Sequence, residues 1–344
     1  MTWVAWRQHR TQIVWGAAAV AALMLFLVPT GLGMSHFFRS SGLARCLTTA
    51  GADCGQLSDA FDNKYNGFSF LIPLFLMAPV LFGMFFGAPL IAREMDGGTY
   101  RLAWTQGVTR TRWLGTKLVV VVGTALAGAV SLAYLVTWWS RPLVAQSQSR
   151  FRLGIFDLRG VVPIAYTIFA VMLGIAVGSV IKKTLPAIGV TLVGFAAVRI
   201  GIEFFVRQHY LAAKTAIAPL VGKGGLIERA AGSVWVISEN TIDRVGNIVS
   251  RGGGFDFGYL AARCPTVASQ GPFPKGPGPI SVVPGPAGQM DPIAACVQHL
   301  GLRDVTVYQP AYRFWTFQWI EFGIFIALAI GLAIFTIRRT KRLS

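Results

Sequence analysis

Apolar residues fall into six long blocks separated by polar intervals: Ile13–Met34, Ser69–Ile91, Leu118–Trp139, Gly160–Ile181, Leu185–Val206 and Phe314–Ile337. Each is about as long as the ~20 helical residues that cross a hydrocarbon core of ~30 Å. In hydrocarbon only helices and closed barrels satisfy every backbone polar group, and none of the blocks alternates with period two, which excludes a barrel. The pattern predicts an all-α polytopic membrane protein with six transmembrane helices. The first block is expected to be retained, because no A-x-A-like cleavage site follows it and further spans do.

Composition agrees: 54% of the 344 residues are hydrophobic and only 13% charged, against about 25% charged in soluble domains. The net charge of +17 matters through its placement. Segments 1–12, 92–117, 182–184 and 338–344 hold thirteen Lys and Arg against only Glu94 and Asp96. Lys and Arg near span ends mark the cytoplasmic side, so both termini are predicted to be cytoplasmic. The short loops 35–68 and 140–159, with seven basic residues, then face outward. The basic excess sets orientation and does not call for a nucleic-acid partner. The N-terminal stretch with Trp3, Val4, Trp6, Arg7, His9 and Arg10 suits either a short helix on the inner membrane surface or a plain positive flank.

Three parts follow: 1–206 with five spans and the cytoplasmic loop 92–117, an extracytoplasmic domain at 207–313, and 314–344 with the sixth span and a basic tail. The stretch from Pro265 to Pro292 is rich in Pro and Gly and reads as loop, whereas Ser233–Ser238 is short, aromatic and β-branched and predicts a strand. Cys46 and Cys54 fall in the first outer loop, Cys264 and Cys296 in the large one. An oxidising compartment favours disulfides, and pairing within each loop is the simplest of three possible connectivities. No histidine has ligand-like spacing to a cysteine, so no metal site is expected.

The loop 92–117 (AREMDGGTYRLAWTQGVTRTRWLGTK) is the one sizeable cytoplasmic loop. Gly97-Gly98 ends the helix leaving span two, Thr99 can cap a short helix over Tyr100–Gln106, and Gly107 ends that in turn. Such a transverse helix suits a groove on another protein or, equally, an interfacial position held by Trp104 and Trp113.

The pattern Glu94, Gly98-Thr99, Thr105, Val108, Arg110, Leu114 and Lys117 resembles the loop between the second and third spans of type-two ABC exporter permeases. The resemblance implies a coupling helix that docks on an ATP-binding subunit, and Glu94, Thr99, Arg101, Trp104, Val108 and Arg110 are the expected docking residues. One departure is Thr105-Gln106-Gly107, where many relatives have a proline-containing turn. That form, with Trp3–Arg10 and Tyr308–Glu321, is similar to permeases of high-GC Gram-positive bacteria. The resemblance further implies a bacterial plasma-membrane protein that acts as a dimer, with a second permease copy or homologue. ATP and Mg would be bound by the partner subunit and no cofactor by this chain, which has no G-x-x-x-x-G-K-[ST] run to cradle ATP and is expected to be no enzyme.

Within the apolar blocks, Arg199 and Glu203 lie four apart on one helix face. Arg199 is seven residues before Val206 and Glu321 seven after Phe314, so antiparallel spans five and six put them at similar depth, about 10 Å inside the outer edge. Intramembrane charges usually find partners, and a cluster of Arg199, Glu203 and Glu321 is predicted, as an external gate or as a clamp between spans. Span two carries Pro73, Pro79 and Pro89, and Gly83–Gly87 and Gly174–Gly178 have the small-residue spacing of close helix contacts. The resemblance would place spans two and five along the transport path, with Phe-rich apolar walls suited to an amphipathic or lipid-like cargo. The expected function is the membrane-spanning subunit of an ATP-driven exporter. The alternative is a non-transporting membrane sensor or assembly platform that uses its outer domain.

Overall fold

The computed structural model describes residues 2–49, 52–97, 110–147, 150–151, 154–219, 234–252, 257–264 and 292–342. Helices α1 (Thr2–Ser40), α2 (Leu43–Cys46), α3 (Gly55–Tyr65), α4 (Leu71–Asp96), α5 (Arg110–Trp139), α6 (Arg141–Ser147), α7 (Ile155–Leu158), α8 (Val162–Ile181) and α9 (Thr184–His209) precede a sheet-containing segment. The last helix of the chain returns to the apolar pattern, at Phe314–Arg342. Among the described residues, six helices are long and apolar enough to cross a membrane: α1 from Gly16 onward, α4, α5, α8, α9 and the last, which together make the chain a multi-pass membrane protein. They are spans one to six in order. Span one is continuous with the N-terminal stretch, since no Gly or Pro interrupts residues 2–15. The N-terminal stretch, expected as either a surface helix or a positive flank, and the first span are thus a single element.

One compact unit comprises residues 1–147, 152–210 and 315–344. Its packing is led by small residues. A Cβ added at Gly83 would stand 2.5 Å from the Ala170 carbonyl oxygen, and one at Gly174 would stand 2.5 Å from that of Gly83. Gly87 and Gly178 meet the backbones of Val171 and Ala88 in the same manner. Only hydrogen fits at these four positions, so the backbones of spans two and four lie in direct contact, and association in lipid relies on such van der Waals packing. The close approach coincides with a π-helical turn at Gly83–Gly87 in span two.

At the other end of span two an aromatic core forms. Phe61 and Tyr65 of α3 pack with their ring centres 5.1 Å apart, and Phe68 and Phe75 both meet the buried Trp139 edge-on at 6.0 Å. Trp139 donates its indole N–H to Thr30 Oγ1 at 3.1 Å, and the Tyr65 hydroxyl donates to the Gly33 carbonyl at 3.2 Å, so both buried polar tips are satisfied. Cys46 and Cys54 are joined in a disulfide, with Cα atoms 5.9 Å apart, which ties α2 to the start of α3.

The second unit, residues 148–151 and 211–314, corrects the all-α expectation. Its strands β1 (Lys214–Pro219), β2 (Trp235–Ile242), β3 (Ile248–Arg251) and β4 (Arg303–Gln309) form an antiparallel sheet in the order β1-β4-β2-β3. Of the strand predicted at 233–238, residues 235–238 begin β2. The other strands were hidden because they are short and half-exposed, which weakens their alternation. Helices α10 (Phe257–Arg263) and α11 (Pro292–Leu300) supply the buried Leu260 and Val297, which pack with Cys264, just past α10, and Leu302. A Cys264–Cys296 disulfide, Cα atoms 6.1 Å apart, joins the end of one helix to the other. The last helix of the chain, Phe314–Arg342, is α12.

Candidate functional site

Span five brings three charged residues to one side. In a regular α-helix, at about 100° per residue, Arg199 and Arg207 would be about 80° out of line. The π-helical turn Ile202–Val206 absorbs roughly one extra residue and returns Arg207 to the side of Arg199, with Glu203 between them. The side chains converge on Glu321 of span six, Tyr166 of span four and Asp157 of α7.

Arg207 is the hub, with only 4% of its surface exposed. Its Nε donates to Glu321 Oε2 at 2.9 Å and its Nη2 to Glu321 Oε1 at 2.8 Å, the two-pronged geometry that suits a guanidinium to a carboxylate. Nη2 also donates to Asp157 Oδ1 and to the Tyr166 hydroxyl oxygen, the latter at 3.2 Å, while Nη1 lies 3.6 Å from Glu203 Oε1. The guanidinium stands 4.5 Å above the Phe156 ring centre. The Tyr166 hydroxyl lies within hydrogen-bonding reach of Asp157 Oδ1, at 2.9 Å, and of Glu321 Oε1, and the Tyr210 hydroxyl donates to Glu321 Oε2 at 3.2 Å.

Arg199 forms a second arm. Its Nη2 is 3.3 Å from Asp157 Oδ2, its Nη1 donates to the Leu76 carbonyl of span two at 3.0 Å, and it lies 4.9 Å over the Tyr166 ring. Burial alone would push the Asp157 carboxyl up, but the Arg207 and Arg199 guanidiniums beside it hold it below its ordinary range. Asp157 therefore stays an anion inside the protein. Three carboxylates and two guanidiniums, mostly buried, are stable together only because each carboxylate has a guanidinium within 4 Å and most have further donors.

The helix that carries Asp157 has a single turn and is held from outside itself. Gln318, one turn before Glu321 on span six, accepts hydrogen bonds from the Val161 and Val162 amides at 3.1 and 3.2 Å and donates to the Phe156 carbonyl at 2.9 Å. Span six thus positions both the α7 backbone and the carboxylate next to it.

The expected trio is changed in its connections. Glu203 and Glu321 meet through Arg207, whereas Arg199 is bound to Asp157 and Leu76 rather than to either glutamate. Arg207 was overlooked because the apolar block ends at Val206, although its place one turn after Glu203 was a visible signal. Asp157 sat within a loop by sequence, and nothing along the chain marks Tyr166.

Of the six expected docking residues, Thr99, Arg101, Trp104 and Val108 lie outside the described residues, as does the helix predicted at 100–106. Glu94 is half-buried in the last turns of span two and Arg110 is the first residue of span three. Leu76, which meets the ion network, and Glu94 lie eighteen residues apart on span two, about 27 Å along that helix.

No curated protein and no solved structure matches the chain significantly. A family model described as ABC-2 membrane transporter related matches residues 17–207, more than half of the chain, which takes in spans one to five and every charged member of the network except Glu321. The chain belongs to the ABC-2 membrane transporter related family and is a membrane component of the ABC transporter class.

Proposed function

We propose that the protein is the permease subunit of an ATP-driven exporter in a bacterial plasma membrane. In this reading it pairs with a second permease, docks two ATP-binding subunits through 92–117 on the cytoplasmic side, and exports an amphipathic or lipid-like cargo. The family match over spans one to five is the observation that carries the reading. Two features support the way movement would travel. Backbone contact through Gly83, Gly87, Gly174 and Gly178 makes spans two and four a rigid pair. Arg207 couples span five to span six and α7, so a push at the Glu94 end of span two would be felt as rocking at the network. Glu94 and Arg110 bracket the docking segment and are its described members.

The test is co-purification of the full-length chain with an ATP-binding ABC subunit from its own host. The wild type is expected to retain the ATPase, and a Glu94→Ala/Arg110→Ala double variant to lose it while keeping its own yield and monodispersity. A correctly folded wild type that binds no ATPase would refute the proposal.

A further inference from the structure

Two buried polar atoms of the network have no hydrogen-bond partner: Asp157 Oδ2 and Arg199 Nε. The ion pair between their residues, at 3.3 Å through Arg199 Nη2, satisfies neither atom. A buried donor or acceptor left unpaired loses its hydration without a replacement, and native proteins rarely tolerate it. Asp157 and Arg199 line one cavity with Thr167 of span four, and its remaining walls include Phe75, Leu132 and Ala133. The space open to the centre of a water molecule is about 20 Å³, more than the ~10–15 Å³ that a single water requires.

The chemistry of an occupant follows from these two atoms. It must donate to Asp157 Oδ2 and accept from Arg199 Nε. It must also carry no net charge, since an anion would face the Asp157 carboxylate and a cation the Arg199 guanidinium within an apolar wall. An ammonium cannot accept, a carboxylate cannot donate, and a hydroxyl does both. We propose that Asp157, Arg199 and Thr167 form a binding site for a neutral hydroxyl between spans two, three, four and five, filled by a buried water or by the alcohol group of an amphiphile. The site is independent of ATP coupling.

The full-length protein in lipid nanodiscs tests this with a density map resolving ordered water, recorded with and without 1-dodecanol. An oxygen at hydrogen-bonding distance from both Asp157 Oδ2 and Arg199 Nε in either map supports the site. A cavity empty in both maps, or closed by a direct Arg199 Nε to Asp157 Oδ2 bond, overturns it. Thermal unfolding identifies the source. A saturable rise in melting temperature with 1-dodecanol, absent with dodecane and lost in Ala133→Leu, assigns the site to an amphiphile. No rise with 1-dodecanol, beside an ordered oxygen in the map, assigns it to water. A larger rise with dodecanoate than with 1-dodecanol makes it an anion site and refutes the neutral assignment.

Discussion

Replacing Arg207 by Met would remove the donor that faces Asp157, Glu203 and Glu321 while keeping most of the side-chain volume. Breaking a buried pair by deleting one partner costs about 3–5 kcal/mol, because the remaining charge is stranded. Arg207→Met is therefore expected to lower the apparent melting temperature of the purified protein well beyond Glu203→Gln, whose carboxylate lies at the edge of the network, 12% exposed and 3.6 Å from Arg207. Equal effects would show that Arg207 is not the hub. Asp157 gives a pH dependence with a definite sign. Its folded-state affinity for a proton is lower than that of an ordinary carboxyl at 3.8, so its stabilising contribution is complete above that pH and lost as pH falls through the depressed value. Asp157→Asn should melt lower than wild type at neutral pH, and the difference should shrink on acidification. A difference that grows on acidification would contradict the assignment. At this scale the sequence revealed charges that lie within apolar blocks, such as Arg199, Glu203 and Glu321. It did not reveal Asp157, because a loop carboxylate has no periodicity to betray that Gln318 pins its backbone against span six.

Helices were legible wherever hydropathy alone decides: all six spans lie where the apolar blocks are, with ends shifted by a few residues. The shifts have a physical cause, since helices run on into polar residues after the apolar run has ended, as α9 does through Arg207 and α12 through Arg342. The π turn at Ile202–Val206 was not legible, because it answers to the partners of Arg207 rather than to local sequence. The glycine spacing in spans two and four was visible, but common spacing does not tell a contact from an accident. The structure separates the two cases. Gly174→Ala is expected to destabilise by about 1–3 kcal/mol, the usual cost of overpacking, because its Cβ would strike the Gly83 carbonyl oxygen. Gly189→Ala in span five meets nothing within 4 Å and should be neutral or slightly stabilising. A thermal-shift comparison of the two in the same detergent checks this, and equal melting would deny the close contact of spans two and four. In the sheet unit, the Cys264–Cys296 bridge closes a separation of 32 residues. Its removal by Cys264→Ser/Cys296→Ser should cost about 3–4 kcal/mol by loop entropy, read as loss of β2 and β4 amide protection in hydrogen exchange. Unchanged protection would place the stability of the sheet elsewhere.

For the whole molecule, the proposed exporter requires the 92–117 loop inside and the sheet unit outside. The charge distribution supports that orientation through its thirteen basic residues on four short segments. Val245, 86% exposed in the sheet unit, offers a reporter: Val245→Cys should react with a membrane-impermeant thiol reagent in intact cells, whereas a cysteine replacing Thr99 should react only after permeabilisation. The reverse pattern would invert the protein and remove the docking loop from its partner. The most direct test of the central claim is the ATP hydrolysis rate of the partner ATPase in proteoliposomes containing the wild-type chain, the Glu94→Ala/Arg110→Ala variant, or no permease. Coupled transport predicts a rate that rises with the wild-type chain and returns to the permease-free value with the variant. A rate that is the same in all three preparations would contradict it.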